Sequence, residues 1–302
     1  MPSRDIKDPV LVLEFTLLGL LALTWGSSYL LAKIALTAFP PITLIAIRVG
    51  IAAILLTGIV LVRGSRFPRD LPTWNRMMIQ AFLNSIGAWT ILAWGQQFID
   101  SGVAGVLNST SPIFVFFITL FWTRHEATNP KKLFGALLGI CGVALIVGVD
   151  ALRGFGQEFI AQLAVLLSAL LFGCAAIYGK KHSHIPPDVT AAGTMICASL
   201  VLVPLSLAID APWTLTPDFN SVLAALGLGV FCTAGALLLY FRLLRTIGSM
   251  GVASQSYLRA AVSMALGAVI LGESIGWSNG LGAAIAILGV AAINLPSRKP
   301  AP

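Results

Sequence analysis

The sequence predicts an all-α integral membrane protein of ten transmembrane helices, arranged as two inverted five-helix repeats. Three observations support this. Of 302 residues 57% are hydrophobic and only 10% charged, with a mean hydropathy of +0.91; soluble domains carry roughly 25% charged residues. The apolar residues gather into stretches long enough to span a membrane, about 20 residues for a ~30 Å hydrocarbon layer. Landmarks in one half recur in the other at a constant offset of 147 residues.

The first stretch, 11–38, follows Arg4 and Lys7 as a signal peptide would, but it runs on to Phe39 without a cleavage boundary and reads as a retained span. It carries Trp25, Tyr29 and Lys33. The second, 41–62, starts at Pro40-Pro41, where a missing amide donor costs little. Arg48 lies about one and a half to two turns inside it, a depth from which its head can snorkel to the outer interface. That favours structure or lipid anchoring, and Lys33 is read in the same way. In the third, 74–98, helical spacing puts Asn84, Ala88, Ile91 and Gly95 on one face, with Trp89, Trp94 and Gln96 nearby.

The fourth, 101–122, contains Asn108, Ser109, Thr110, Ser111 and then Pro112. A proline at membrane depth removes a helical hydrogen bond and predicts a kink or local unwinding. In the fifth, 131–149, Gly135, Gly139 and Gly142 suit close helix packing. No period of two appears there, which excludes membrane strands. Residues 150–157 form the link to the second half. The remaining stretches are 158–179, 189–209, 218–241, 248–271 and 277–295, with Pro186-Pro187 and Pro217 at span entrances.

Basic residues give an independent test of the count, because cytoplasmic loops collect Lys and Arg. Fifteen of the nineteen fall in the terminal segments and alternate loops: Arg4 and Lys7; Arg63, Arg66, Arg69 and Arg76; Arg124, Lys131 and Lys132; Lys180 and Lys181; Arg242 and Arg245; Arg298 and Lys299. Both termini are therefore expected in the cytoplasm, in a plasma or inner membrane. The net charge of +7 spread over these loops reads as topology and attraction to anionic lipid, and no nucleic-acid patch is required.

The offset of 147 aligns Trp25-Gly26 with Phe172-Gly173, Lys33 with Lys180, Glu126 with Glu273, Gly135 with Gly282 and Gly142 with Gly289. The repeats expected are 11–149 and 158–295. Five spans per repeat force the second copy into the bilayer in the opposite orientation, as in secondary transporters whose ligand site lies where the repeats meet. The paired repeats favour a carrier over a channel, whose selectivity-filter pattern is not evident.

Other chemistries have little support. Cys141, Cys174, Cys197 and Cys232 are too scattered for a metal cluster and read as small core residues. His125, His182 and His184 lie near loops without a nucleophile or an H-E-x-x-H pattern, so no catalytic residue is expected. No cofactor and no metal is implied.

The opening Trp25-Gly26-Ser27-Ser28-Tyr29, Arg48 after Pro41, Pro112-Ile113, Glu126 before a glycine-rich helix, and Gly173, Lys180, Glu273 and Gly282/Gly289 in the second half together resemble the drug/metabolite transporter superfamily, specifically its ten-helix exporters of two EamA domains. The resemblance spans about residues 11–295 and is strongest to the amino-acid exporter branch, which includes an aromatic amino acid exporter. The second copy departs from the pattern with Phe172 for Trp and Arg259 for Pro. The resemblance implies a central cavity lined by helices 1, 3, 4, 6, 8 and 9, with helices 5 and 10 more peripheral. It implies export of amino acids or similar small metabolites by alternating access; an alternative is export of drug-like cations or other metabolites.

Arg259 is the leading candidate binding residue. Its guanidinium can hold a carboxylate bidentately, and an uncompensated charge at mid-span is costly. A structural hydrogen-bonding role and a gating role are the alternatives. Gln255, Tyr257, Trp25, Tyr29, Asn84 and Asn108 complete the candidate substrate site, while Pro112, Arg48 and Lys33 are assigned structural or gating roles. The expected partners are a small-molecule substrate, an amino acid by this reading, and membrane lipids; the oligomeric state is left open.

Overall fold

In the computed structural model, which describes residues 9–123, 130–152, 156–182, 185–246 and 255–294, every regular element is helical. Ten helical units follow one another: α1 (Pro9–Ala35), α2 (Pro41–Val62), α3 (Leu71–Gly95), α4 (Ser101–Phe121), α5 (Pro130–Leu152), α6 (Gln157–Gly179), α7 (Pro187–Ile209), α8 (Phe219–Gly229, Val230–Gly235 and Ala236–Thr246 end to end), α9 (Gln255–Leu271) and α10 (Trp277–Asn294). Seven of them, α1 to α4 and α6 to α8, are long and apolar enough to cross a membrane among the described residues. The apolar parts of the others are shorter: Leu133–Ile146, Leu258–Leu271 and Trp277–Gly289. Ten full-length spans were expected. The described part of α9 starts at Gln255, and residues 247–254 before it lie outside the described residues.

Helix ends follow from local chemistry. Gly64 ends α2 in the left-handed region (φ 69°), with its N–H donating to Leu61 and that of Ser65 to Val60, a Schellman closure. Gly272 (φ 68°) follows α9 in the same conformation. Asp70 caps α3 by accepting from the Thr73 N–H at 2.9 Å, and the Thr73 side chain and then this N–H hold its carboxyl below the usual carboxylate range. Two caps come from the opposite half of the chain. Asp210 accepts from the Thr43 N–H and hydroxyl at the start of α2 (2.9 and 2.7 Å), and Glu273 accepts from the N–H groups of Ser101 and Gly102 at the start of α4 (2.7 and 3.1 Å). A carboxylate at these exposed amides also favours the helix dipole.

Contacts between the halves pair equivalent elements. α1 packs on α8 and α9, and α6 packs on α3 and α4. α2 lies along α7 with opposed direction: Thr43 meets Asp210 at one end and Arg63 meets Asp188 at the other. α5 and α10 are likewise antiparallel and cross at glycines. A Cβ on Gly142 would fall 2.6 Å from the Gly282 carbonyl oxygen, and one on Gly289 would fall 2.6 Å from that of Gly135. Since Gly282 and Gly289 are the 147-residue equivalents of Gly135 and Gly142, the crossing is self-complementary, as a pseudo-twofold requires.

Two further features share the symmetry. α3 widens to π geometry over Phe82–Trp89 and α8 over Val230–Gly235, positions that correspond at the same offset. Such wide turns are rare and concentrate at functional sites. Large apolar side chains including Ile54, Phe121, Leu200, Phe231 and Val269 remain exposed on the outside of the bundle, as a lipid-facing surface needs.

Candidate functional site

The conserved spacing of the two halves brings α1, α2, α3, α4, α8 and α9 together around Tyr29 and two guanidinium groups. Glycines set the distances. Gly26 on α1 faces α9, where an added Cβ would lie 2.5 Å from Val262 and 3.1 Å from the Arg259 carbonyl oxygen. On α4, Gly102 faces Met264 and Gly105 faces Ser263, so that α9 also lies close to α4. Arg259, half-buried, then reaches Ser109 with an Nε to Oγ distance of 3.4 Å. Among the described residues it makes no ion pair.

α4 breaks beside this contact. Helix Ser101–Asn108 gives way to a turn at Ser109 and Thr110 and resumes as Ser111–Ile118, as Pro112 predicted. The hydroxyls of Ser109 and Thr110 donate to the carbonyls of Gly105 and Leu107, supplying part of what the interrupted ladder loses. Its counterpart α9 is helical from Gln255 to Leu271, and the residues before Gln255 lie outside the described ones.

Tyr29 and Asn108 form a fully buried chain of hydrogen bonds. The Tyr29 hydroxyl donates to Asn108 Oδ1 at 2.9 Å, Asn108 Nδ2 to Ser168 Oγ at 3.2 Å, and Ser168 to the Ala88 carbonyl at 2.8 Å. The chain joins α1, α4, α6 and α3 and satisfies polar groups that would otherwise be costly at this depth.

Arg48 departs from the expected placement. It is not directed to the outer interface: with 7% exposure it lies inside the bundle, its guanidinium carbon 4.0 Å from the centre of the Trp89 ring and its Nε donating to Thr233 Oγ1 at 2.8 Å. The ring and the hydroxyl belong to the two symmetry-related π segments, so Arg48 links them. Thr233 passes its own proton to the Leu228 carbonyl, filling the wide turn of α8. A guanidinium held by a π face and a hydroxyl gains contacts that a lipid interface does not supply, which accounts for the inward orientation. The hydrogen-bond chain from Tyr29 links the two arginine sites: Asn108 is the chain neighbour of Ser109, which Arg259 reaches, and Ala88 that of Trp89, on which Arg48 rests.

Lys33 is also turned to protein. Its Nζ donates to the carbonyls of Gln96 and Ile99 at 2.8 and 2.7 Å, closing the end of α3. Together with Glu273 it holds the α3–α4 turn from both sides.

The other candidates are distributed differently. Trp25 packs against Tyr240 at 5.6 Å between ring centres, in a cluster with Leu18, Leu21 and Leu243. Asn84 is half-buried and donates to Ser85 at 3.3 Å. The α3 face containing it is split, because Ala88 and Gly95 are buried and Gly95 packs against Ala161 and Val165 of α6. Gln96 is buried and donates to the Tyr29 carbonyl at 3.1 Å. Gln255 is buried at the start of α9. Tyr257 and Ser256 lie in the same turn, with side chains outside the described residues, as is all of Glu126. Trp89, Ser109 and Thr233 were missed as partners of the arginines. The available signal was that neither arginine has an acid within its span, but only the contacts identify what replaces it.

Comparison with known proteins agrees with this architecture. The model of the EamA-like transporter family matches twice, over residues 14–148 and 159–295. The chain is 25% identical over 283 residues to the uncharacterized inner membrane transporter YedA of Escherichia coli K12, covering 93% of this chain and 90% of that protein. It is 27% identical over 234 residues to the uncharacterized transporter YoaV of Bacillus subtilis, covering 76% and 80%, and 25% identical over 291 residues to YvbV of the same organism, covering 93% and 92%. A solved crystal structure superposes with a TM-score of 0.67 over 92% of this chain and 96% of that one; at 19% identity the likeness is one of fold. A helical bundle with seven apolar helices of membrane-crossing length, and with family matches covering nearly all of both halves, is a transporter and not an enzyme. The chain belongs to the EamA-like transporter family.

Proposed function

We propose that the chain is a secondary transporter that exports amino acids or similar compact metabolites by alternating access, with Arg259 holding the substrate carboxylate. The observation that carries this reading is a half-buried guanidinium in α9, beside the broken α4 and the Gly26 contact of α1, with no acid in its own helix. A carboxylate would supply the missing charge and two parallel hydrogen bonds. Nearby aromatic side chains would accept the apolar part of the substrate.

In this reading all ten helical units cross the membrane, residues 11–149 and 158–295 are inverted repeats, and the substrate site lies where they meet. The paired packing of equivalent helices supports that arrangement. The protein resides in a plasma or inner membrane with both termini in the cytoplasm. Cysteines introduced beside Lys181 and Arg298 should then react only from the cytoplasmic side, and one beside Asp210 only from outside. External labelling at both Lys181 and Arg298 in sealed cells contradicts the topology.

Binding tests the carboxylate site. Arg259→Lys keeps charge but loses the fork, and Arg259→Gln loses both; compared on amino acids and their carboxyl-blocked amides, each should weaken binding of the free acids selectively. Loss of a charged hydrogen bond costs about 1.5–3 kcal/mol, or roughly 10- to 150-fold in Kd. Wild-type transport of every tested amino acid by folded Arg259→Gln protein returns Arg259 to a structural role. Saturation and trans-stimulation in proteoliposomes separate a carrier from a channel.

A further inference from the structure

We propose that Arg48 and Arg259 form a two-point anion site around Tyr29 that selects a small dicarboxylate, acidic amino acids included, over the equivalent monoacid. This rests on the reading of Arg259 as a carboxylate anchor and adds a second anchor that the sequence assigned to structure or gating.

Charge balance is the first reason. The chain has twelve acids, and those within the described helices (Glu14, Asp150, Glu158 and Asp188) stand in the first or last turns or close to them. α2, α3, α4, α8 and α9 contain no acid. Glu14 and Asp188 are engaged with Arg242 and Arg63, while Asp210 and Glu273 cap helices. Among the described residues, two cations at membrane depth are thus left without a carboxylate partner, a costly arrangement that usually marks a ligand or ion path.

The contacts of Arg48 show which part of it remains available. One face of the guanidinium rests on Trp89 and Nε is used by Thr233, so the head is held in a fixed orientation. Among the described residues the two terminal nitrogens have no hydrogen-bond partner. Those nitrogens carry four N–H donors in a planar fork. Among the described residues Arg259 likewise has only its Nε contact to Ser109. The Tyr29 hydroxyl donates its proton to Asn108, next to the Ser109 that Arg259 reaches, and so offers neither arginine an anion.

A neutral amino acid answers only half of this chemistry. Its carboxylate would pair with one arginine, but its ammonium would enter a region that already holds two positive charges and, among the described residues, no acid. A second carboxylate removes the repulsion between the guanidiniums and satisfies the second fork. The two anchors also come from different halves and from positions that are not equivalent. Met195 occupies the counterpart of Arg48, and Pro112 that of Arg259. A doubly anionic ligand would therefore bridge the halves, and its binding would be felt by both.

The test uses purified full-length protein in nanodiscs and equilibrium binding of succinate against succinamate and of glutamate against glutamine, pairs that differ by one acid group. The wild type should bind the diacid member at least about 10-fold tighter, equivalent to ~1.4 kcal/mol. Arg48→Gln should bring that ratio close to one, and Arg48→Lys should retain part of it. A wild-type ratio of one, with both members bound in an Arg259-dependent manner, overturns the two-point site and leaves the Arg259 reading standing. A high ratio that persists in Arg48→Gln overturns the assignment to Arg48. Binding of all four probes that is insensitive to Arg259→Gln, or binding of none, overturns both. If Arg48→Gln does not fold, the wild-type ratio and Arg48→Lys decide.

Discussion

Arg242 Nη2 lies 3.4 Å from Glu14 Oε1, and these two residues are the 147-residue equivalents of Gly95 and Ala161, which also touch. The same junction is thus built twice with different chemistry. Between α3 and α6 it is a close approach of small residues, where a Cβ on Gly95 would sit 3.0 Å from the Ala161 carbonyl oxygen. Between α1 and α8 it is an ion pair, to which Thr246 adds a hydrogen bond at 2.8 Å. A charged contact can be released and solvated; a packed glycine contact has no such alternative.

The ion pair should respond to salt. Arg242 is 52% exposed, so solvent screening limits the pair to about 0.5–1 kcal/mol in a double-mutant cycle of Glu14→Gln and Arg242→Gln. Unfolding of the four proteins in detergent measures it. The coupling should vanish near 1 M salt, where the Debye length is about 3 Å; a coupling unchanged by salt would show that the contact acts through packing.

The glycine crossing of α5 and α10 should tolerate no side chain. Gly142→Val places atoms against the Ala286 backbone nitrogen, which would lie 2.5 Å from the first carbon added, and backbone cannot move aside as a side-chain tip can. A loss of at least about 2–3 kcal/mol, read as a lower unfolding temperature, is expected for this degree of overpacking. Gly58→Ala in α2 is the control, since nothing lies within 4 Å of its Cβ position, and it should match or slightly exceed the wild type.

Tyr29→Phe should destabilise the protein by about 1–3 kcal/mol, because it leaves the Asn108 oxygen buried without the donor it has now. Thermal unfolding checks this. If the variant is as stable as the wild type, water or another donor takes the place of the hydroxyl and the buried chain is not structural.

Asp100, in the turn between α3 and α4, provides a pH test. Burial, and next the charge of Glu273, push its carboxyl above its ordinary value of 3.8, partly offset by Lys33, with Glu158 adding a smaller upward push. The folded state therefore holds this proton more tightly than the unfolded chain does. Its contribution to stability is complete below pH 3.8 and is lost as pH rises through the folded value. Asp100→Asn should remove that decline and unfold at a higher temperature than the wild type near neutral pH. An identical pH dependence in the two proteins would exclude Asp100 as its source.

By itself the sequence determined the class of the protein, because hydrocarbon accepts only helices whose backbone bonds are internal, and runs such as 158–179 are long and apolar enough to need no partner to declare themselves. Local rules were sufficient for the break at Pro112, since a missing donor acts within one turn, and the glycine spacing of α5 anticipated a close crossing. The extent of each span is less legible, because a hydropathy pattern averages over single polar residues such as Gln255 and Arg259. Arg48 shows the larger gap. Its depth along α2 allows either an outward or an inward head, and the choice depends on Trp89 and Thr233, which lie 41 and 185 positions along the chain. The same is true of Tyr29 with Asn108 and of Glu273 with Ser101. Composition and periodicity act between neighbours in sequence, whereas the partner of a buried charge is set by helices that meet only when the two halves pack.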